Sequence, residues 1–390
     1  MRIYHLLKHM LDIGEVSVLL YGDDGDRDRI QTAFEGRVQQ IMVVPPPIPW
    51  KGVRRRFIQL GAYLRGRSAG YAYSHSPALQ REIERTLSRT GFDIILSETH
   101  LMSLVDLSKS DAVRILDAHN VEHDGFTRLA RNSRSMMRRA FYKHEAKACF
   151  REETEAWRNQ DAILCTSQRD RNILEVHAPS IPKFVIPNGV DISYFSSSDD
   201  VPEPFSMVFT GAMNYPPNTD GMLFFLNRIF PSVLKQIPQA KLYVVGCAPP
   251  RELQNRASTN VIVTGMVDDV RPFIRRAGLY IVPLQSGGGT RLKLLEALAM
   301  KKPVVTTSVG CEGIDVTHDQ SVLVADDPDE FVTAVVELLR NPWKGTKLAE
   351  NGHDIVRQKY DWSVIGSRLQ DALQSVLSGK RGRVQKTMTV

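Results

Sequence analysis

LYIVPLQSGGGTRLKLLEALAMKKPVVTTS, residues 279–308, runs from an unbroken apolar stretch through three glycines into a helix-forming segment, then out to a second apolar run. That order is a strand, a loop, a helix and a strand, the crossover unit of a parallel sheet. Three glycines let the backbone come close to a ligand, and the free N–H groups at the helix start favour an anion. Arg291 and Lys293 add formal positive charge. Glu296 lies about 9 Å along the axis from Thr290 at about 1.5 Å per residue, on the same face as Lys293. A cation near phosphates, with a carboxylate one step further, suits a diphosphate joined to a ribose, whose hydroxyls a carboxylate can accept from. Neither G-x-x-x-x-G-K-[ST] nor G-x-G-x-x-G occurs. The competing reading is a tight structural loop followed by a Lys–Glu surface pair.

The same alternation extends on both sides. SMVFTGA (206–212), KLYVVG, VIVTG, LYIVPL, PVVTTS and SVLVAD read as strands, with helices from Asn218 to about Gln236, near 250–257, and from about Pro328, Lys344 and Trp362. The strands are continuous apolar runs, not alternating ones, as in a sheet covered on both faces. VSVLLY (16–21), VQQIMVV (38–44), DIILSE (93–98), RILDAH (114–119), AILCTS (162–167) and KFVIPNGV (183–190) repeat the theme in the first half. The expectation is α/β, two doubly wound Rossmann-like domains. The first covers 1–198, with a C-terminal helix 361–378 packing back on it. The second covers 205–360, after the Ser-, Asp- and Pro-rich linker 191–204. Domains of this kind would face each other across a cleft at the carboxyl ends of their strands. The tail RGRVQKTMTV reads as disordered.

A chain of 390 residues with 42% hydrophobic and 24% charged residues is long enough for two ordinary cores. Its four cysteines, Cys149, Cys165, Cys247 and Cys311, lack C-x-x-C spacing, which argues against a disulfide framework or zinc site and fits a cytoplasmic setting. No apolar run reaches the roughly 18 residues that span a bilayer. The net charge of +6 is unevenly placed. No acidic residue lies between Glu35 and Glu82, an interval carrying Arg37, Lys51, Arg54, Arg55, Arg56, Arg65, Arg67 and Arg81 among aromatic residues such as Trp50 and Phe57. From Arg128 to Arg151 eight Lys/Arg face Glu145 alone, and Lys143, Lys147 and Arg151 recur every four residues on one helix face. Such patches attract an anionic surface, here a membrane and not nucleic acid, or are solvated faces.

Taken in order, DAHNVEH (117–123), IPNGVDISYF (186–195), FTGAMNYPPNTDG (209–221), VVG (244–246), VTGMVDDVRPFIRRA (263–277), VPLQSGGGTRLKLLEALAMKKPVVTT (282–307) and VGCEGI (309–314) resemble the retaining family-four glycosyltransferases of GT-B fold, in a subgroup with a GGGTRLK-type loop. The resemblance covers Arg2 to about Leu377. It implies a nucleotide-diphosphate sugar as donor substrate, no cofactor, no metal, and a glycan or lipid-linked acceptor at the inner face of a membrane. Glu296 matches the second glutamate of the family's E-x-seven-E motif and would contact the donor ribose. Gly288 stands where the first glutamate should be, so backbone N–H groups of Gly287, Gly288, Gly289 and Thr290 would replace it. His119 would stand near the transferring sugar. Gly211 and Asn218 would line the donor site, although Asn218 could instead cap its helix. Gly265 and Val267 would meet the base through the backbone. Arg291 and Lys293 would stabilise the leaving diphosphate. Asp24-Gly-Asp26 and Asp327-Pro-Asp329 read as solvated turns.

The resemblance also expects an opening strand and glycine loop before RIYHLLKHML, a strand central to the first sheet. Their absence suggests a shortened N-terminus, such as a start codon set too late; no in-frame coding sequence upstream of Met1 would contradict that. Two alternatives follow: a catalytically inactive nucleotide-sugar-binding partner subunit, or a sugar-nucleotide epimerase of the same fold.

Overall fold

The structure, a computed structural model, describes all residues except 48–52, 75, 134, 198–200, 288 and 388–390. Part of the expected linker, with Trp50, Lys51 and Gly288, lies outside the described residues. The chain divides into two compact units, Met1–Pro187 with Gly366–Val390, and Asn188–Ile365. The boundary therefore falls before the IPNGVD turn is complete, not near residue 200. The reason is local: Val190 bridges to Asp361, and the Val190 amide donates to the Tyr360 carbonyl at 2.8 Å.

In the second unit six parallel strands form one sheet: β7 (Glu203–Thr210), β8 (Lys241–Val245), β9 (Val261–Gly265), β10 (Ala277–Val282), β11 (Val304–Thr306) and β12 (Leu323–Val324). Their spatial order is β12-β11-β10-β7-β8-β9. After β7 the chain winds outward through β8 and β9, then returns to lay β10 on the other side of β7. The winding thus reverses between β7 and β10, and ligands gather at the carboxyl ends of strands at such a point. Both strands are apolar and buried, and Phe209, Tyr280, Ile281 and Val282 are fully excluded from solvent. The helix expected over 218–236 is broken into Pro216–Phe224, a π turn at Phe225–Ile229, and Phe230–Gln236. Pro231 has no N–H to give the turn before it, and the wider turn accommodates that loss.

The first unit has two parallel sheets. One pairs β1 (Ser17–Tyr21) with β2 (Gln40–Val44); the other orders β3 (Ile94–Glu98), β4 (Val113–Ala118), β5 (Ala162–Cys165) and β6 (Lys183–Val185) in sequence. β1 and β3 do not pair, yet Leu19 and Tyr21 of β1 and Ile95 of β3 pack on one cluster with Leu79, Ile83 and Leu107. The final helix runs Trp362–Thr387, longer than the expected 361–378 and through most of the tail read as disordered. Lys, Arg and Gln there are good helix formers, and no proline stops them. No helix among the described residues is long and apolar enough to cross a membrane.

Candidate functional site

At the reversal point, the loops after β7 and β10 and the start of helix Leu292–Ala299 enclose a cavity of about 310 Å³. Its walls include Gly211, Asn218, Gly287, Thr290, Arg291, Lys293 and Glu296. Five of the nine donor-side residues expected from the sequence, Gly211, Asn218, Gly287, Thr290 and Glu296, converge here with both phosphate-side residues, Arg291 and Lys293.

Gly211 shows how closely the walls approach. Its φ is +150°, and a Cβ there would lie 2.7 Å from Lys293 Nζ and 2.8 Å from Asn218 Nδ2. Lys293 donates to Asn218 Oδ1 at 2.7 Å and sits 3.9 Å from the centre of the Phe209 ring. Asn218 in turn donates to the Ala212 carbonyl at 2.8 Å. It is therefore a buried link in the wall and not the helix cap it might have been, since Tyr215 holds the N-cap position. Burial pushes the Lys293 ammonium down to about 7; the Glu296 charge opposes that shift and Arg291 adds to it. Burial raises the Glu296 carboxyl, against the pull of Lys293. Arg291 is buried and donates to the Gly289 carbonyl, while the buried Thr290 hydroxyl has no partner among the described residues. The helix start carries no side-chain cap; its Leu292 and Leu294 amides donate to the Thr290 and Arg291 carbonyls at 3.1 and 2.9 Å, and the positive end of the helix dipole lies at the cavity.

Other expected residues lie elsewhere. Gly289 borders the cavity only through its carbonyl bond to Arg291. Gly265 ends β9 with φ +72°, next to the Gly246 amide that donates to its carbonyl at 3.2 Å. Val267 packs on the core of the unit. Neither Gly265 nor Val267 lines this cavity. Sequence reading missed Thr210, Tyr215, Leu284 and Ser286, which do. Their places, immediately at or after the ends of β7 and β10, were the available signal.

His119 belongs to the first unit, one residue past β4. Its Nε2 is 2.6 Å from Glu98 and 3.4 Å from Asp117. Asp117 is fully buried and takes both Nε and Nη2 of Arg2, at 2.8 and 2.6 Å. Burial lowers the His119 pKa, but hydrogen bonds to Asp117 and Glu98 and their charges outweigh it, raising the group to about 9. His119 is thus an imidazolium at neutral pH, an electrostatic group and not a base. Glu98 was absent from the sequence reading, although it ends β3 directly opposite Asp117 in parallel register. Arg2 had no signal at all. Glu98, Asp117 and His119 present donor atoms within 4.8 Å of one another, a spacing a cation could use. Arg2 already holds both oxygens of Asp117 and His119 carries a proton, so this donor set fits a cation poorly.

The remaining candidates resolve into structural devices. Glu122 and His123 open helix Glu122–Asn132, whose N-cap is Val121. Glu153 from helix Met136–Arg158 caps it instead, accepting from the Glu122 and His123 amides at 2.7 and 3.2 Å and meeting His123 Nδ1 at 2.6 Å. Both D-x-D runs serve helix starts. Asp26 closes a capping box with Asp23, and Asp327 accepts from the Asp329 and Glu330 amides.

Residues 204–341 match the family model described as Glycosyl transferases group 1. An uncharacterized 44.6 kDa protein in the cps region of Klebsiella pneumoniae is 24% identical over 291 residues, 71% of this chain and 73% of that protein. The lipopolysaccharide core biosynthesis mannosyltransferase LpcC of Rhizobium leguminosarum bv. viciae is 24% identical over 243 residues, 57% of this chain and 67% of that protein. The structure of Anabaena HepE in complex with UDP superposes with a TM-score of 0.69 at 16% identity, covering 96% of this chain and 95% of that one. The chain has the GT-B fold of glycosyltransferases, and its second unit carries the match to their group 1.

Proposed function

We propose that the chain moves a sugar from a nucleotide-diphosphate sugar to an acceptor hydroxyl, with retention of anomeric configuration and without a metal ion. The observation that carries this is the cavity at the β7–β10 reversal, where Arg291, Lys293 and an uncapped helix start stand beside Glu296. The cations and N–H groups stabilise charge on the leaving diphosphate, each charge-assisted bond contributing about 1.5–3 kcal/mol. Glu296 receives two ribose hydroxyls. The acceptor hydroxyl attacks from the side the phosphate leaves, and its proton goes to the departing diphosphate oxygen. His119, assigned to the transferring sugar by resemblance, contributes a fixed positive charge.

The names of the relatives, one from a cps region and one acting in lipopolysaccharide core biosynthesis, support a surface glycan or a lipid-linked glycan as acceptor. The basic first unit supports a cytoplasmic protein held peripherally at the inner face of a membrane. Product analysis tests the reading. Incubation with UDP- and GDP-sugars should give an α-linked product from an α-donor only when acceptor is present, with or without chelator. A changed donor sugar formed without acceptor would identify an epimerase. Nucleotide binding with neither product would identify a non-catalytic partner subunit.

A further inference from the structure

A second cavity belongs to the first unit. Helices Glu122–Asn132 and Met136–Arg158 of the first unit enclose an open pocket of about 650 Å³. Its lining includes His123, Phe150, Arg131, Arg139, Lys143 and Lys147, with no carboxylate among the described lining residues. His123 is fixed by its 2.6 Å bond to Glu153, and its ring meets the 37% exposed Phe150 edge-on at 5.0 Å. The lining therefore joins an aromatic pair to a set of cations.

Arg139, Lys143 and Lys147 are spaced i, i+4, i+8 on one helix, an arrangement of like charges that weakens a helix unless an anion offsets it. No acidic group pairs with Lys143 or Lys147 among the described residues. Arg151, grouped with them by spacing, turns away: its guanidinium lies near Gly66. The same helix begins with Met136 and Met137, 85% and 84% exposed, followed by half-exposed Phe141. Helix Val53–Leu64, held to it by the Tyr63 ring 3.7 Å from His144, exposes Phe57, Leu60 and Leu64 at i, i+3, i+7. Exposed large apolar side chains beside clustered cations are the chemistry of an amphiphilic, anionic partner.

We propose that the pocket between helices Glu122–Asn132 and Met136–Arg158 holds the phosphate of an anionic lipid, docking the first unit on a membrane with Met136, Met137 and Phe141 among the acyl chains. The lipid phosphate takes bonds from Lys143, Lys147, Arg131 and Arg139, and its glycerol and first methylenes lie on His123 and Phe150. This deepens the membrane part of the function proposed above and rests on it, while its ligand and its test are separate from the nucleotide.

Co-flotation of the full chain with vesicles tests it, using phosphatidylcholine alone and with phosphatidylglycerol. Binding should need the anionic lipid. Lys143→Gln/Lys147→Gln should weaken it roughly 20–30-fold, at about fivefold per lysine near an anionic surface. Lys235→Gln/Arg256→Gln removes the same charge from exposed positions of the second unit and should change binding less than twofold. Met137→Gln should weaken binding without altering the net charge. Equal loss in the two double variants would overturn the pocket in favour of diffuse charge. So would binding equally well to phosphatidylcholine alone, or no binding to vesicles together with a pyrophosphate-induced thermal shift that Lys143→Gln/Lys147→Gln abolishes, which would mark a free-phosphate site. A nucleotide-induced thermal shift unchanged in Lys143→Gln/Lys147→Gln shows that the variant is folded and separates failure here from failure of the donor site.

Discussion

At Lys293 two demands conflict: burial favours a neutral amine, whereas a diphosphate calls for an ammonium. With its pKa brought down to about 7, Lys293 loses its charge in the free protein as pH rises above that value. Affinity for a nucleoside diphosphate should therefore fall between pH 7 and 8.5, by at most roughly tenfold per pH unit. Titration calorimetry should show that slope in the wild type and none in Lys293→Met; a flat wild-type profile would contradict the assignment. His119 has the opposite sense. Its folded pKa, about 9, lies above the unfolded value near 6.5, so its contribution is complete below pH 6.5 and lost as pH rises through 9. With a quarter of the side chain exposed, as its 27% accessibility shows, the contribution is roughly 2 kcal/mol after screening. Urea unfolding should show His119→Gln closing on the wild type between pH 7 and 10; a constant gap would mean the imidazolium network adds nothing. Gly211→Ala forces a side chain into a φ of +150° and onto Lys293 and Asn218. It should cost about 1–3 kcal/mol and abolish nucleotide binding, with thermal melts and calorimetry as the checks. At this scale Glu296, Lys293 and Arg291 were readable because one six-residue stretch at the helix start carries all three. Glu98 required knowing which strand lies beside β4, and Arg2 required a contact 115 residues away in sequence.

Among the elements, helix Glu122–Asn132 depends on a carboxylate from another helix. Glu153 is 1% exposed and satisfies two of its starting amides and the His123 ring. Glu153→Ala leaves those donors buried and unmet, which should cost about 3 kcal/mol in denaturant midpoint analysis. A loss below 1 kcal/mol would mean water takes its place. Capping is usually settled within four residues, by Ser, Thr, Asn or Asp; a long-range cap such as Glu153 has no local signature. At Asp23 and Asp327 the capping is local, and the two D-x-D runs read as solvated turns are helix starts. Strand existence was the most legible feature. β7, β8, β10 and β11 are runs of apolar residues because both faces of their sheet are buried, and continuous runs announce that condition. The π turn at Phe225–Ile229 was hidden, since Pro231 marks an interruption without saying how the backbone resolves it.

For the molecule as a whole, the crossover unit at 279–308 announced a parallel sheet, and six parallel strands form it; the reversal between β7 and β10 that places the cavity was not legible there. The first unit was less legible. Its β1 and β3 are mostly half-buried, and the sheet is divided between them, where hydrophobic packing continues without a ladder. Unit boundaries also depend on contacts such as Val190 with Asp361, which composition does not encode. The account centres on the second unit as a nucleotide-sugar donor site, and one measurement reaches it most directly: the thermal midpoint of the full chain with UDP, GDP and ADP, wild type beside Glu296→Ala. A ligand at about 100 times its dissociation constant stabilises the folded state by roughly 2.7 kcal/mol. The account predicts an upward shift with one of the three nucleotides, diminished in Glu296→Ala. No shift with any of them, or an equal shift in the variant, would contradict it.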